Sequence, residues 1–182
     1  MRLRPHSKNG TGRSYCAAAA ACFLAYLCFP PGGPAQPAGA HSLVGRKAPE
    51  FARRDLSGHN LDLARFRHRV VLLNFWATWC APCQAEMPVF ASWQRQYGAQ
   101  GFQVLGISMD DDPAAARRFV EKLGLDYPVA MGDAHLGLRY GGVLGLPMTF
   151  LIDREGVIRA QFQGESDPGA IEAEVKNLIR TH

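Results

Sequence analysis

Apolar residues are first concentrated at residues 15–29, a run of fifteen positions that includes five consecutive alanines. A basic stretch precedes the run, and a segment rich in Pro, Gly and Ala follows it, ending in Ala-Gly-Ala at residues 38–40. This order of charge, apolar core and small residues is typical of an export signal. The run is shorter than the ~20 residues that a spanning helix needs, but its distance from residue 40 is long for a cleavage region. A cleaved signal peptide and an uncleaved membrane anchor therefore both stay open.

The hydrophobic pattern changes beyond this segment, and we predict a folded domain over residues 41–182, with residues 1–40 as the targeting segment and linker. Residues 70–75 are almost continuously apolar, which indicates a strand buried on both faces. The other predicted strands lie at residues 51–56, 60–63, 102–108, 129–131, 148–152 and 157–162. The predicted helices lie at residues 80–97, 113–124, 135–140 and 168–181. Strands that alternate with helices, followed by a hairpin and a last helix, predict an α/β sandwich with a mixed sheet.

The net charge of +4 comes entirely from the N-terminal segment. Residues 1–40 contain four basic residues and no acidic residue, so the remaining chain carries 16 of the 20 basic residues against all 16 acidic ones. A nucleic-acid-binding domain would show a basic patch in its folded part. We therefore predict no nucleic-acid partner.

Only two of the five cysteines fall inside the predicted domain. Cys80 and Cys83 stand in Trp-Cys-Ala-Pro-Cys at residues 79–83, whereas the other three lie in the apolar N-terminal run. A structural disulfide framework would show several spaced pairs. A structural zinc site needs four ligands, and the sequence has no second Cys-x-x-Cys and no nearby His pair. A single close pair in an oxidising compartment indicates redox chemistry, with no metal and no cofactor.

Residues 73–88, Leu-Asn-Phe-Trp-Ala-Thr-Trp-Cys-Ala-Pro-Cys-Gln-Ala-Glu-Met-Pro, resemble the active-site segment of TlpA/ResA-type thioredoxin-like proteins. The similarity includes Ala-Pro-Glu-Phe at residues 48–51 and Gly-Leu-Pro-Met-Thr-Phe-Leu-Ile-Asp at residues 145–153. The resemblance implies a thioredoxin fold, with a central mixed sheet flanked by helices and an N-terminal β-hairpin extension. It also implies a bacterial extracytoplasmic thiol-disulfide reductase. Peroxiredoxins share this fold, but their Pro-x-x-x-Thr/Ser-x-x-Cys pattern is absent, because Leu73 and Ala77 occupy its first two conserved positions.

The position of the cysteine pair at a predicted helix start assigns different roles to its two members. Unpaired backbone N–H groups and the positive end of the helix dipole favour a thiolate at the first cysteine, Cys80. Cys80 should therefore attack a partner disulfide, and Cys83, one turn further on, should resolve the mixed disulfide. Pro82 is tolerated there because the first turn has no backbone N–H bond to lose.

Glu86 is the third candidate catalytic residue, and spacing alone leaves its role open. It lies three residues after Cys83 on the predicted helix. A desolvated carboxyl at this place could exchange a proton with Cys83, but an exposed first-turn glutamate that only favours the helix dipole fits the spacing better. The resemblance favours the catalytic role, because ResA-type proteins carry a functional glutamate at the matching position. Asn74 replaces the titratable aspartate that ordinary thioredoxins have in this strand.

The resemblance also implies a substrate-binding surface around the cysteine pair. In thioredoxin-like folds the proline matching Pro147 is cis, and the backbone before it, here Leu146, pairs with the partner peptide. We expect Trp79, Pro82, Leu146 and Pro147 to bind the substrate. Met148 departs from the family, which usually has Thr after this proline.

The resulting hypothesis is a monomeric periplasmic or extracytoplasmic enzyme, soluble after signal cleavage or anchored by residues 15–29. It would reduce disulfides in partner proteins and would be recharged by a membrane thiol electron donor. The resemblance suggests apocytochrome c or copper-site assembly proteins as partners. Two alternatives stay open: a dithiol oxidase of the same fold, and a non-catalytic copper-binding chaperone that uses the thiols as ligands.

Overall fold

The computed structural model describes residues 42–143 and 145–181, so the interpretations of residues 1–40 lie outside the described residues. The strands are β1 (Ala52–Arg54), β2 (Asn60–Asp62), β3 (Val70–Trp76), β4 (Phe102–Ser108), β5 (Val129–Met131), β6 (Met148–Ile152) and β7 (Ile158–Gln163). The α-helices are α1 (Ala81–Tyr97), α2 (Pro113–Leu123), α3 (Ala134–Arg139) and α4 (Pro168–Arg180). In this described part of the chain, none of the helices combines the length and the apolar character that a membrane span requires.

The main sheet has five strands in the order β5-β4-β3-β6-β7. β3, β4 and β5 run parallel, whereas β6 is antiparallel to both β3 and β7. The β1–β2 hairpin forms a separate two-stranded sheet that joins the edge of β5 through a bridge between Asp55 and Ala130. This arrangement confirms the predicted mixed sheet and N-terminal hairpin.

Strand β3 lies at the centre of the sheet and is buried along its whole length. Its side chains alternate between two cores, as the period of a strand requires. Leu72 and Trp76 belong to the core that contains α1 and α4, and Leu73 and Phe75 belong to the core on the opposite face. The continuous apolar run in the sequence therefore reflects burial on both faces.

Aspartate side chains determine where three helices begin. Asp112, Asp133 and Asp167 each accept a hydrogen bond from a backbone N–H in the first turn, at 2.8, 2.7 and 3.0 Å respectively. Such N-caps satisfy backbone donors that the helix leaves unpaired. Helix α2 ends at Gly124, which has the left-handed φ of 60° that favours glycine. The predicted helix boundaries are therefore confirmed to within one or two residues.

The first hairpin is shorter than predicted, because its turn begins at Asp55. Oδ1 of Asp55 accepts hydrogen bonds from the backbone N–H groups of Ser57 and His59, at 2.9 and 2.8 Å. This side-chain turn draws the backbone out of the ladder before residue 56.

Two glycines next to Met109 differ in the space that they leave for a side chain. A Cβ on Gly132 would lie 2.5 Å from Sδ of Met109 and 2.8 Å from Cγ2 of Ile107, whereas a Cβ on Gly137 would lie 3.7 Å from Cε of Met109. Gly132→Ala should therefore lower the free energy of unfolding by about 1–3 kcal/mol through overpacking. Gly137→Ala, within α3, should be neutral or stabilise by up to ~1 kcal/mol. Urea unfolding of the disulfide-bonded variants measures both, and equal stability of the two would contradict this packing.

Candidate active site

The cysteine motif and the segment before β6 lie at the same edge of the sheet. Because β3 and β6 are antiparallel, with Phe75 paired to Met148, the end of β3 and the start of β6 are neighbours. The end of β4 reaches this edge as well, since β4 is parallel to β3. The sheet topology therefore brings together three segments that are distant in sequence.

Cys80 and Cys83 form a disulfide, with their Cα atoms 5.3 Å apart. Cys80 is the N-cap of α1, and its Sγ accepts a hydrogen bond from the backbone N–H of Cys83 at 3.3 Å. Cys80 retains 5% exposure, whereas Cys83 is fully buried. The helix start predicted at Cys80 is confirmed. A thiolate at Cys80 would receive the Cys83 N–H and the positive end of the α1 dipole.

Trp79 is a strongly exposed side chain of the motif, with 71% exposure. It lines a surface groove together with Met109, Val143, Gly145 and Leu146. Trp76 is fully buried, so the two tryptophans that flank the motif have different environments. Of the residues expected to bind substrate, Trp79 and Leu146 therefore share one groove.

The two prolines of the predicted substrate surface do not line this groove in the described part of the chain. Pro82 is partly exposed in the first turn of α1. The Leu146–Pro147 peptide bond is cis, as the resemblance implies. Pro147 is buried, and its carbonyl oxygen accepts the backbone N–H of Gly164 at 2.8 Å.

Glu86 is buried, with 6% exposure, so the alternative of an exposed first-turn glutamate is wrong. It lies one helical turn after Cys83 on the buried face of α1. Within the described residues, its Oε2 atom has no hydrogen-bond partner. A carboxyl group in this setting is costly to ionise.

The pKa of Glu86 is raised from 4.5 to about 7, mainly by burial and in the same direction by the nearby Glu165 carboxylate, whereas a backbone hydrogen bond from Ser166 opposes the change. Glu165 lies in the loop after β7, the loop that contacts Pro147 through Gly164. Glu165 was not among the residues predicted from the sequence. In the sequence, Glu165 is distinguished only by its position just after the last predicted strand. The sequence alone does not show which edge of the sheet this position occupies.

Asn74 lies on the same face of β3 as Leu72 and Trp76 and is 1% exposed. Its Nδ2 donates a hydrogen bond to Oγ1 of Thr149, its partner across the β3–β6 ladder, at 3.0 Å. The amide is therefore satisfied within the sheet and carries no titratable proton.

Asp110 is a second residue that sequence analysis did not identify. Its carboxylate accepts hydrogen bonds from Thr78, two residues before Cys80. Its position directly after β4, the parallel neighbour of β3, is the one sequence feature that could have indicated that it lies near the cysteine motif.

Comparison with known proteins agrees with this fold. The family profile named Redoxin matches residues 43–179. The chain is 33% identical to thiol-disulfide oxidoreductase ResA of Bacillus cereus over 135 residues, covering 74% of this chain and 78% of that protein. ResA of Bacillus subtilis is 31% identical over 136 residues, covering 75% of each chain.

Solved structures give the same result. A thiol:disulfide interchange protein of the thioredoxin family from Chlorobium tepidum is similar with a TM-score of 0.69 at 25% identity, covering 78% of this chain and 99% of that one. A thiol-disulfide oxidoreductase from Bacteroides fragilis is similar with a TM-score of 0.65 at 28% identity, covering 73% and 99%.

A disulfide at the start of the helix that follows the central strand of a thioredoxin fold defines a thiol-disulfide oxidoreductase. Such an enzyme acts on protein disulfides. The chain belongs to the redoxin family and, within it, to the ResA-type thiol-disulfide oxidoreductases.

The raised pKa of Glu86 predicts a pH-dependent stability of the disulfide-bonded protein. Between pH 4.5 and about 7 the folded state binds more protons at Glu86 than the unfolded state does, so the free energy of unfolding falls as the pH rises through this window. Glu86→Gln should remove this fall and gain on the order of 2–3 kcal/mol over the wild type between pH 4.5 and pH 8. Urea unfolding at the two pH values measures the difference.

Two further variants make this test specific. Glu165→Gln should lower the pKa of Glu86 and so reduce the fall without abolishing it. Glu121→Gln makes the same substitution at an exposed position of α2 and serves as the matched control. A gain in Glu86→Gln no larger than that in Glu121→Gln would contradict a buried, protonated Glu86.

Proposed function

We propose that this protein is an extracytoplasmic protein-disulfide reductase in which Cys80 attacks, Cys83 resolves and Glu86 exchanges the proton of Cys83. The observation that carries the proposal is the placement of Cys80 Sγ as the capping atom of α1, bonded to a buried Cys83 above a buried carboxyl group. These three side chains occupy successive turns on one side of the helix.

The reaction begins with the reduced form of the protein. The Cys80 thiolate attacks one sulfur of a partner disulfide, so that a mixed disulfide forms and the partner's second sulfur leaves as a thiolate that takes up a proton from water. The groove lined by Trp79 and Leu146 binds the partner segment beside Cys80.

The second step releases the partner. Cys83 must lose its proton before it can attack Cys80 Sγ, and Glu86 in its carboxylate form accepts that proton. The Cys80–Cys83 disulfide forms, the bond to the partner breaks, and the partner's sulfur leaves as a thiolate that takes up a proton from water, so that the released partner has two thiols. Two electrons have passed to the partner, and a pKa near 7 allows Glu86 to accept and return a proton at neutral pH.

The buried carboxyl group of Glu86, one turn after Cys83, favours the reducing direction. A strongly oxidising enzyme stabilises its reduced form through a thiolate. Here an ionised Glu86, one helical turn after Cys83, would disfavour a further negative charge on that sulfur. The reduced form is therefore a better electron donor, and the dithiol oxidase is the less favoured alternative.

The cellular setting is proposed from the N-terminal sequence and the resemblance. Residues 1–40 would export the domain of residues 41–182 as a signal peptide, or residues 15–29 would anchor it in the membrane. A membrane thiol electron donor would regenerate the dithiol. Apocytochrome c or copper-site assembly proteins would be the partners, and the enzyme would act as a monomer.

The reduction potential of the Cys80–Cys83 couple tests the proposed direction. Equilibration with glutathione buffers should give a value close to that of thioredoxin, about −270 mV, and a value close to that of DsbA, about −120 mV, would support the oxidase instead. The same protein should reduce insulin, and Cys80→Ser should not. Insulin reduction that survives in Cys80→Ser would contradict the catalytic assignment and favour the copper-binding alternative.

A further inference from the structure

The carboxylate of Asp110 binds the loop that leads into the cysteine motif. Its two oxygens accept hydrogen bonds from the backbone N–H of Thr78, at 3.1 and 3.0 Å, and Oδ1 also accepts from the Thr78 hydroxyl at 2.6 Å. The hydroxyl of Ser108, a fully buried residue, donates to Oδ2 at 2.8 Å. A carboxylate suits this place because all these groups donate, and such charge-assisted bonds are stronger than neutral ones.

The third polar group of Thr78, its carbonyl oxygen, is hydrogen-bonded as well. Nε2 of Gln84, in the second turn of α1, donates a hydrogen bond to the Thr78 carbonyl oxygen at 2.7 Å. The backbone N–H, the hydroxyl and the carbonyl of Thr78 are therefore all engaged. Together with Asp110 and Gln84, it forms what we call the Thr78 clamp.

The Thr78 clamp connects the two sides of the groove. Trp79 follows Thr78 directly, and Met109 precedes Asp110, so the clamped residues are the immediate neighbours of two groove-lining side chains. A backbone hydrogen bond from Met109 N–H to the Trp76 carbonyl, at 2.7 Å, ties the same two segments together. We therefore expect the Thr78 clamp to fix the distance between Trp79 and Met109 across the groove.

Cys80 is held by different contacts. Its Sγ accepts the Cys83 N–H, and its carbonyl oxygen accepts the Gln84 N–H at 3.1 Å, so helix α1 itself orients the cysteine. Loss of Asp110 should therefore disturb the groove more than the sulfur.

We infer that Asp110 is a positioning residue that sets the protein-binding groove of this enzyme by clamping Thr78, and thereby determines affinity for protein disulfides rather than the reactivity of Cys80. This inference rests on the proposed attack by Cys80. It concerns only how a folded partner is placed against that sulfur.

The test compares a protein disulfide with a small one. In Asp110→Ala, kcat/KM for insulin should fall about tenfold, mainly through a higher KM, which corresponds to the loss of one charge-assisted hydrogen bond. Reaction of the reduced enzyme with a small aromatic disulfide, 5,5′-dithiobis(2-nitrobenzoate), should change less than about twofold, because Cys80 keeps its own contacts. Asp111→Asn, an exposed neighbour, is the matched control and should change neither rate.

Variants of Thr78 identify the clamp itself. Thr78→Ser keeps the hydroxyl and should behave as wild type, whereas Thr78→Val loses it and should raise the KM for insulin. Combined with Asp110→Ala, Thr78→Val should add little further loss, because the two residues share the same bond. If Asp110→Ala does not fold, the comparison of Thr78→Ser with Thr78→Val tests the same hydrogen bond.

Equal losses for insulin and for the small disulfide would overturn the inference, and so would full additivity of the Asp110 and Thr78 substitutions. Retention of either reaction by Cys80→Ser would contradict the proposed function instead. Whether or not the proposed function holds, the ratio of the insulin rate to the small-disulfide rate in Asp110→Ala tests the role of the Thr78 clamp.

Discussion

Four residues separate the end of β3 from the start of α1, and this short connection fixes the position of the cysteine pair. Because β3 is the central strand and is buried on both faces, its end cannot shift without disturbing two cores. The N-terminus of α1 is consequently held at the edge of the sheet, where its backbone N–H groups and dipole meet Cys80. The chemistry thus depends on a helix end that the core orients.

The other parts of the site reach the pair from neighbouring strand ends. Leu146 precedes β6, Asp110 follows β4, and Glu165 follows β7. The groove, the Thr78 clamp and a second carboxyl group therefore all lie at one edge of the sheet. Each contributes a different physical property: apolar contact, fixed loop geometry and negative charge. Below them, Glu86 is kept largely neutral at mildly acidic pH by burial, which separates its role from that of Cys80 at the start of the helix.

Most of the fold could be predicted from the sequence, because local patterns determine it. The apolar run of β3 and the Asp-Pro pairs at the starts of α2 and α4 each carry a local physical signal. The position of the cysteine pair at the start of a helix could also be predicted. The burial of Glu86 could not be predicted, because helical spacing does not show how deeply a neighbouring loop covers a side chain.

Asp110 and Glu165 could not be identified for a related reason. Asp110 stands first in a run of three aspartates, and only the pairing of β4 with β3 shows which of them contacts Thr78. Glu165 acts on Glu86 across 79 positions of sequence, through a loop whose placement depends on the contact between Gly164 and Pro147. Long-range contacts of this kind follow from the register of the sheet.

Under the proposed mechanism, the helix start makes Cys80 the reactive thiolate and leaves Cys83 buried and protonated. The most direct test is the rate of iodoacetamide alkylation as a function of pH for reduced Cys83→Ser and reduced Cys80→Ser. We expect Cys80, in Cys83→Ser, to react with a pKa below about 7.5, whereas Cys83, in Cys80→Ser, should react slowly and with a pKa above the ordinary thiol value of about 8.5. Faster alkylation and a lower pKa at Cys83 than at Cys80 would contradict it.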